Sequence, residues 1–373
     1  MRLHDYYWPW GATAFLVVAT LAQPLPAAAQ PQLSPQESAA PVITGFAGVS
    51  GSTARDGRSV SPTFAPIVLV PFGERFLFEG EFELEGSYQS RSGVDWTNEW
   101  EKAVEYAQVD WFVGKGLTAV GGRFLTPFGI YNERLHSGWI RNLPDQPIVA
   151  AMELTSSTGG MGRGVIRLGQ VADIGYVGYA SARSTRTGLE AEKAAGGRGS
   201  VFLPTRRLEI GGSFQSQFED NGSRDDQYGL DATWQANAIP LDVRGEYVRN
   251  AERGNGYWAE GAYRLRRVPF ARPLMRNSQI VFRTEQFFVP TGAEMAELED
   301  LDSGLDAEEE EGHGGGLPDE DTTRFTAGWN YWFTPGIRAS VAFTRSVNSE
   351  AKTNVWSFGL TYRFAGALTG RSQ

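Results

Sequence analysis

Groups of catalytic type stand together at one place in this chain. Within GRFLTPFGIYNERLHSGW, residues 122–139, lie Glu133, Arg134, His136 and Ser137, with Arg141 just beyond. His136 beside Ser137 offers a base and a nucleophile for acyl transfer. A hydrolase also needs an orienting group, and sequence neighbours rarely aim at one another, so a structural histidine is the simpler reading. A second set, Glu79, Glu81, Glu83 and Glu85, supplies paired carboxylates of the kind glycoside hydrolysis uses. A third, AELEDLDSGLDAEEEEGHGGGLPDED, is rich in the oxygen ligands calcium prefers. Its spacing is not that of an EF-hand loop, and His313 alone makes no metal site. The absence of cysteine excludes thiol catalysis, disulfides and cysteine–metal centres. No cofactor or metal is expected, and an enzyme is not the expected class.

The elements that position these groups have a period of two. In RFLFEGEFELEGSY, residues 75–88, Phe76, Phe78, Gly80, Phe82, Leu84, Gly86 and Tyr88 share one face of a strand. The four glutamates share the other. The same alternation returns at 208–215, 227–234, 239–247 and 324–333. These runs match a tilted transmembrane strand of roughly 9–11 residues. A basic residue on a lipid face costs about 2–4 kcal/mol at mid-membrane, and an acid somewhat less. Four glutamates in one strand therefore face a wet lumen. A soluble β-sandwich shows the same alternation and is the competing reading. Strand length, aromatic residues near strand ends and an export leader favour the barrel.

Residues 1–29 read as that leader: Arg2, the apolar run GATAFLVVATLA, then Ala27-Ala28-Ala29 before Gln30. A linker over 30–42, a barrel over 43–364 and a tail over 365–373 complete the predicted organisation. The net charge of −10 is local, because residues 290–321 hold 13 acidic residues and no lysine or arginine. Without that segment the chain carries +3. A solvated outer loop is the simplest reading of it, able to attract cations near a mouth. No basic cluster with interleaved aromatics suggests nucleic acid.

Periodicity places sixteen strands near 43–49, 62–70, 75–88, 102–113, 117–127, 162–169, 173–183, 197–203, 207–217, 227–236, 240–249, 256–266, 278–289, 322–333, 337–347 and 354–364. The fold class is all-β, an antiparallel transmembrane barrel, with fourteen strands as the alternative because strands one, six and eight are weak. Short and long connections sort onto opposite ends, as short periplasmic turns and long outer loops do. RVPFARPLMRN, residues 267–277, is the exception, being long for a periplasmic turn. VWSFGLTYRF, ending at Phe364, is similar to the C-terminal strand by which outer-membrane barrels are recognised for assembly, although nine residues follow it.

VDWFVGKGLTAVGGRFLTPFGIYNERLHSGWIRNLPDQPI, residues 109–148, resembles the corresponding region of bacterial outer-membrane porins, broadly the phosphate-selective O/P type. Those proteins often carry Gly-(Lys/Arg)-Phe-x-x-Pro-Phe-Gly before a long loop. The resemblance implies a passive channel for small hydrophilic solutes or ions in a Gram-negative outer membrane. It also implies contact with lipid, lipopolysaccharide and the barrel-assembly machinery, and allows a homotrimer. It does not by itself imply phosphate. A plugged barrel that binds at the surface is the alternative, and a barrel hydrolase a third. By the resemblance, loop 128–161 folds inward, with Asn132, Glu133, Arg134, His136 and Arg141 at a constriction. Arg123 is placed on the lumen side on cost grounds. The lumen wall is expected to set Glu79, Glu81, Glu83 and Glu85 against arginines of facing strands, Arg123, Arg244, Arg264, Arg283, Arg324, Arg338 and Arg363, with Glu246 also lining the pore. Pro127 ends the strand before the loop, and Gly129 allows the inward turn.

Overall fold

In the computed structural model the described residues are 40–55, 57–91, 96–186, 189–219, 221–290 and 316–367. The leader, residues 30–39, most of the acidic segment with His313, and residues 368–373 lie outside them. Alternating residues become strands wherever the sequence repeats every second position. In order these are β1 (Val42–Thr53), β2 (Gly57–Phe72), β3 (Phe76–Arg91), β4 (Thr97–Gly114), β5 (Leu117–Leu125), β6 (Ser156–Leu168), β7 (Ala172–Ser181) and β8 (Ala194–Leu203). There follow β9 (Leu208–Phe218), β10 (Arg224–Gln235), β11 (Leu241–Asn250), β12 (Gly254–Arg264), β13 (Ser278–Phe288), β14 (Thr322–Thr334), β15 (Ile337–Val347) and β16 (Lys352–Ala367). Each pairs antiparallel with its neighbour, and β1 pairs with β16 from Val42↔Ala367 to Thr53↔Trp356. The result is a closed barrel of sixteen strands in which every strand has a neighbour on both sides.

The three strands with weak alternation are all present. β6 and β8 are built on glycine and small residues, so the backbone ladder holds them while the side chains give little signal. β6 also takes in residues 156–161, which alternation left in the loop.

The barrel wall is apolar outside and largely polar inside, with inward apolar clusters. Phe282 is 61% exposed while Arg283, the next residue, is 4% exposed. Leu230 and Asp231 alternate in the same way at 64% and 4%. A soluble sandwich would bury the apolar face, so this pattern excludes it. The connections after even-numbered strands share one end with the chain's first and last strand ends. That short-turn end includes residues 204–207, 236–240 and 265–277, the last holding a short helix, Arg272–Arg276. β5, β7 and β13 end, and β6, β8 and β14 begin, at the opposite end.

Two local features prepare the interior. β5 stops at Leu125, paired up to Arg123↔Ala107, while β4 continues from Ala107 back to Thr97. The segment leaving β5 therefore starts well below the rim. Opposite it, β4 carries a bulge: Glu81 pairs with Tyr106 and Phe82 with Val104, leaving Glu105 as the extra residue. A bulge re-aims a side chain, here toward the interior.

Candidate functional site

Residues 126–155 connect β5 to β6 through the inside of the barrel. Pro127 has no N–H for a ladder, and Gly129 adopts φ +60°, which turns the chain inward. A short helix, Tyr131–Leu135, and a 3-10 turn, Ile148–Met152, carry the segment across and back. Asn132 closes its neck: its Nδ2 lies 3.0, 2.9 and 2.7 Å from the carbonyls of Thr126, Leu154 and Thr155.

One face of the loop is apolar. Phe128, Ile130, Tyr131, Leu135, Ile148, Val149 and Met152 pack on Val248, Trp258 and Phe287, which point inward from β11, β12 and β13. The Tyr131 and Trp258 rings meet edge-on at 6.4 Å. Burial pushes the Tyr131 phenol above its usual range. Gly229 and Gly328 make room for Phe128 and Leu143, since a Cβ would sit 2.9 and 2.4 Å from those side chains.

Charged wall residues hold the loop's polar groups. Arg283 donates to the carbonyls of Asp145 at 2.9 Å and Gln146 at 3.2 Å. Arg324 grips Glu285 at 2.9 and 2.7 Å, and Glu285 accepts the Ile148 N–H at 2.7 Å. Arg244 pairs with Glu260 at 2.7 Å, which also accepts from Asn142 at 2.8 Å. Arg338 donates to the carbonyls of Arg141 and Gly138 at 2.6 and 2.9 Å. Asp145 accepts from Ser357 at 2.9 Å and Thr344 at 3.2 Å. On the other side Arg134 forms a fork with Glu209 at 2.8 and 2.7 Å, and Arg198 grips Asp231 at 2.9 and 2.6 Å. Glu133 pairs at 3.5 Å with Arg163, which holds Asp110 at 2.6 Å.

His136 Nε2 meets the bulged Glu105 at 3.2 Å. Burial alone would lower this imidazole, but the hydrogen bond and charge of Glu105, with Glu81 behind it, hold it above its ordinary value. Glu153 lies against Glu246. Burial first, then the Glu246 charge, hold the Glu153 carboxyl well above the usual range. Both Glu153 oxygens and Glu246 Oε1 are buried without a donor. One proton shared between the two carboxyls is the arrangement that avoids facing charges.

No protein-family model matches the chain, and no curated protein matches it significantly. Solved structures do match. OprB of Pseudomonas putida, in its low-pH structure, superposes with a TM-score of 0.55 at 10% identity, over 95% of this chain and 96% of that one. An anion-selective porin from Comamonas acidovorans gives 0.50 at 10% identity, over 87% and 98%. Salmonella typhi OmpF, in complex with daunomycin, gives 0.50 at 12%, over 87% and 97%. The fold is that of the outer-membrane porins.

On this porin fold the residues singled out by sequence fall into three groups. Glu133, Arg134, His136, Arg244, Arg283, Arg324 and Glu246 come together around the inward loop. Arg141 joins them by folding back on the His136 carbonyl at 3.1 and 2.7 Å. Glu79, Glu81, Glu83 and Glu85 share the inward face of β3, but Glu81 is 1% exposed against Tyr106, while Glu83 and Glu85 stay partly open. Two placements differ from expectation. Asn132 is buried as the neck clasp and does not line a passage. Arg123 lies beside inward-facing Phe124 but on the opposite parity, near the end of β5. Its guanidinium donates to the Val104 and Glu190 carbonyls at 2.6 Å each, so carbonyls satisfy it where the lumen was expected to.

Sequence reasoning missed Glu105, Asp110, Asp145, Glu153, Arg163, Arg198, Glu209, Asp231, Glu260 and Glu285 as parts of this site. Inward parity on alternating strands could have found Glu209, Asp231 and Glu285. Glu105 needs the bulge, and Glu153 sits in a loop with no period. His136 is engaged by Glu105 and shows no partnership with Ser137 of the kind a hydrolase dyad requires.

Proposed function

We propose that the chain is an outer-membrane porin through which small hydrophilic solutes or ions diffuse passively past loop 126–155. The carrying observation is the lopsided docking of that loop. Its apolar face covers the inward surface of β11, β12 and β13. Across the barrel, Ser52, Ser61, Thr63, Glu83 and Glu85 point inward and keep exposed surface. A hydrophilic passage between the loop and β1–β3 fits that arrangement, and the porin fold supports it. The loop contains no lysine between Thr126 and Thr155, so the likeness to phosphate-selective porins extends to its framework and not to a lysine-based anion filter. Export by the leader, outer-membrane lipid and lipopolysaccharide as surroundings, and a homotrimer belong to the same reading.

Recording in planar bilayers tests it. Folded protein is expected to give stepwise conductance, and Thr63→Trp, which adds bulk to the open wall, to lower the step size by about half or more. A second reading, a plugged barrel, is favoured by the apolar cluster inside the lumen. Folded protein that gives no conductance steps would establish the plug and end the channel reading.

A further inference from the structure

The turn that is long for its end of the barrel, 265–277, is not used by the passage. Together with turns 204–207 and 236–240 it carries Arg206, Arg207, Arg266, Arg267, Arg272 and Arg276, and no aspartate or glutamate. These turns follow β8, β10 and β12, so they lie side by side on one rim. They are also fastened together. Asn237 Nδ2 donates to the Thr205 carbonyl at 3.1 Å, Arg267 to the Ala238 carbonyl at 2.5 Å, and Arg207 to the Gln235 side chain. Arg206, Arg266, Arg272 and Arg276 are exposed, with no acidic partner among the described residues.

Beside Arg206 the outer wall opens into a groove of about 500 Å³, lined by Thr205, Arg206, Leu208, Trp234, Asn237 and Ile239. Leu208 and Trp234 face each other across β9 and β10 on the apolar side of the sheet. Trp234 is 41% exposed and Ile239 42%. Beside the groove, the 265–277 turn presents Phe270, 76% exposed, and Leu274 next to its arginines.

We propose that this rim binds an anionic phospholipid, with the headgroup phosphate on Arg206 and an acyl chain in the Leu208–Trp234–Ile239 groove. The chemistry is matched at both ends. Guanidinium groups suit phosphate oxygens, and none of the six has a carboxylate partner among the described residues. An apolar groove opening along a membrane wall suits a chain and offers nothing to a free anion. The site lies where the apolar wall meets the aqueous rim, which is headgroup depth. Phe270 and Leu274 enter the same interface, as aromatic and apolar residues do at membrane boundaries. The proposal rests on the outer wall facing a bilayer, and is independent of whether the barrel conducts.

Native mass spectrometry of the folded, detergent-solubilised full chain tests it, with dioleoyl phosphatidylglycerol, dioleoyl phosphatidylcholine and inorganic phosphate as probes. Wild type is expected to retain phosphatidylglycerol over phosphatidylcholine. Arg206→Gln should weaken that retention about fivefold, and Arg206→Gln with Arg266→Gln by about that factor again. Trp234→Ala should weaken the long-chain lipid more than its dihexanoyl counterpart. Arg55→Gln at the opposite rim should change nothing. Arg206 and Arg266 have no acidic partner to lose among the described residues, and heat-modifiable gel migration verifies folding of every variant before titration. Equal retention of the two lipids, or undiminished phosphatidylglycerol binding in the double variant, would overturn the proposal. Displacement of the lipid by inorganic phosphate would assign a free-anion site and overturn it as well.

Discussion

Gly129 shows how one residue can set the position of the whole inward segment. Its φ of +60° lies where an L side chain costs roughly 1–2 kcal/mol, and a Cβ there would sit 1.4 Å from Glu246 Oε1. Gly73 has nearly the same angle, +67°, with nothing within 4 Å. Gly129→Ala is therefore expected to lower the urea midpoint of unfolding clearly more than Gly73→Ala. Equal effects would mean that backbone angle alone matters and the close approach to Glu246 does not. The turn at Gly129 was legible in sequence because glycine after proline at a strand end has few other uses. The role of Asn132 was not, because an amide closing a loop on three carbonyls is indistinguishable in sequence from one facing water. Arg123 was misplaced for a related reason: the cost of a guanidinium on the outer parity assumes no polar partner there, and the Val104 and Glu190 carbonyls receive it.

At the level of the loop, two titrating groups act in the same direction. The His136 pairing with Glu105 is complete below the free imidazole value of about 6.5 and is lost as pH rises through the raised value. The Glu153 carboxyl, also raised, favours the docked loop in its protonated form, so its contribution falls as pH climbs above the free value of about 4.3. Docking should weaken from acid to alkali. The chain has no cysteine, so Ile140→Cys accepts a single spin label on an exposed loop residue. Its mobility is expected to increase between pH 6 and pH 9, with Glu153→Gln suppressing part of the rise and His136→Ala giving a mobile label already at pH 6. A label equally rigid at both pH values would contradict this. Asp145→Ala, which removes the acceptor for Ser357 and Thr344, should raise mobility at every pH. The loop's existence was visible in sequence as a break in the two-residue period. Its apolar face was not recognised, although Phe128, Ile130, Leu135, Leu143, Ile148, Val149 and Met152 are too many large apolar residues for a surface loop.

The whole barrel was the most legible level, because a period of two over about ten residues, repeated through most of the strands, has few physical solutions when the alternate face is charged. The glycine-rich β6 and β8 were harder, since a strand lined with small residues announces itself only through its neighbours' need for partners. Strand ends at β4 and β6 shifted because pairing continues after alternation has ceased. Closure depends on the last strand, and it can be tested by shortening the chain. Ending it after Phe364 removes the pairs Val42↔Ala367, Ile43↔Gly366 and Thr44↔Ala365, and heat-modifiable migration is expected to survive. Ending it at Val355 removes all of the β1–β16 pairing, and that migration should disappear. The same seam constrains how the molecule is made. Thr44 hydroxyl bonds to the Phe364 carbonyl across 320 residues, so the first strand to leave the ribosome waits for the last. Until then every intermediate is a ribbon with two live edges, open to pairing with any other extended chain. An escort that shields those edges during transit is thus a requirement of the topology itself, whatever the finished barrel carries.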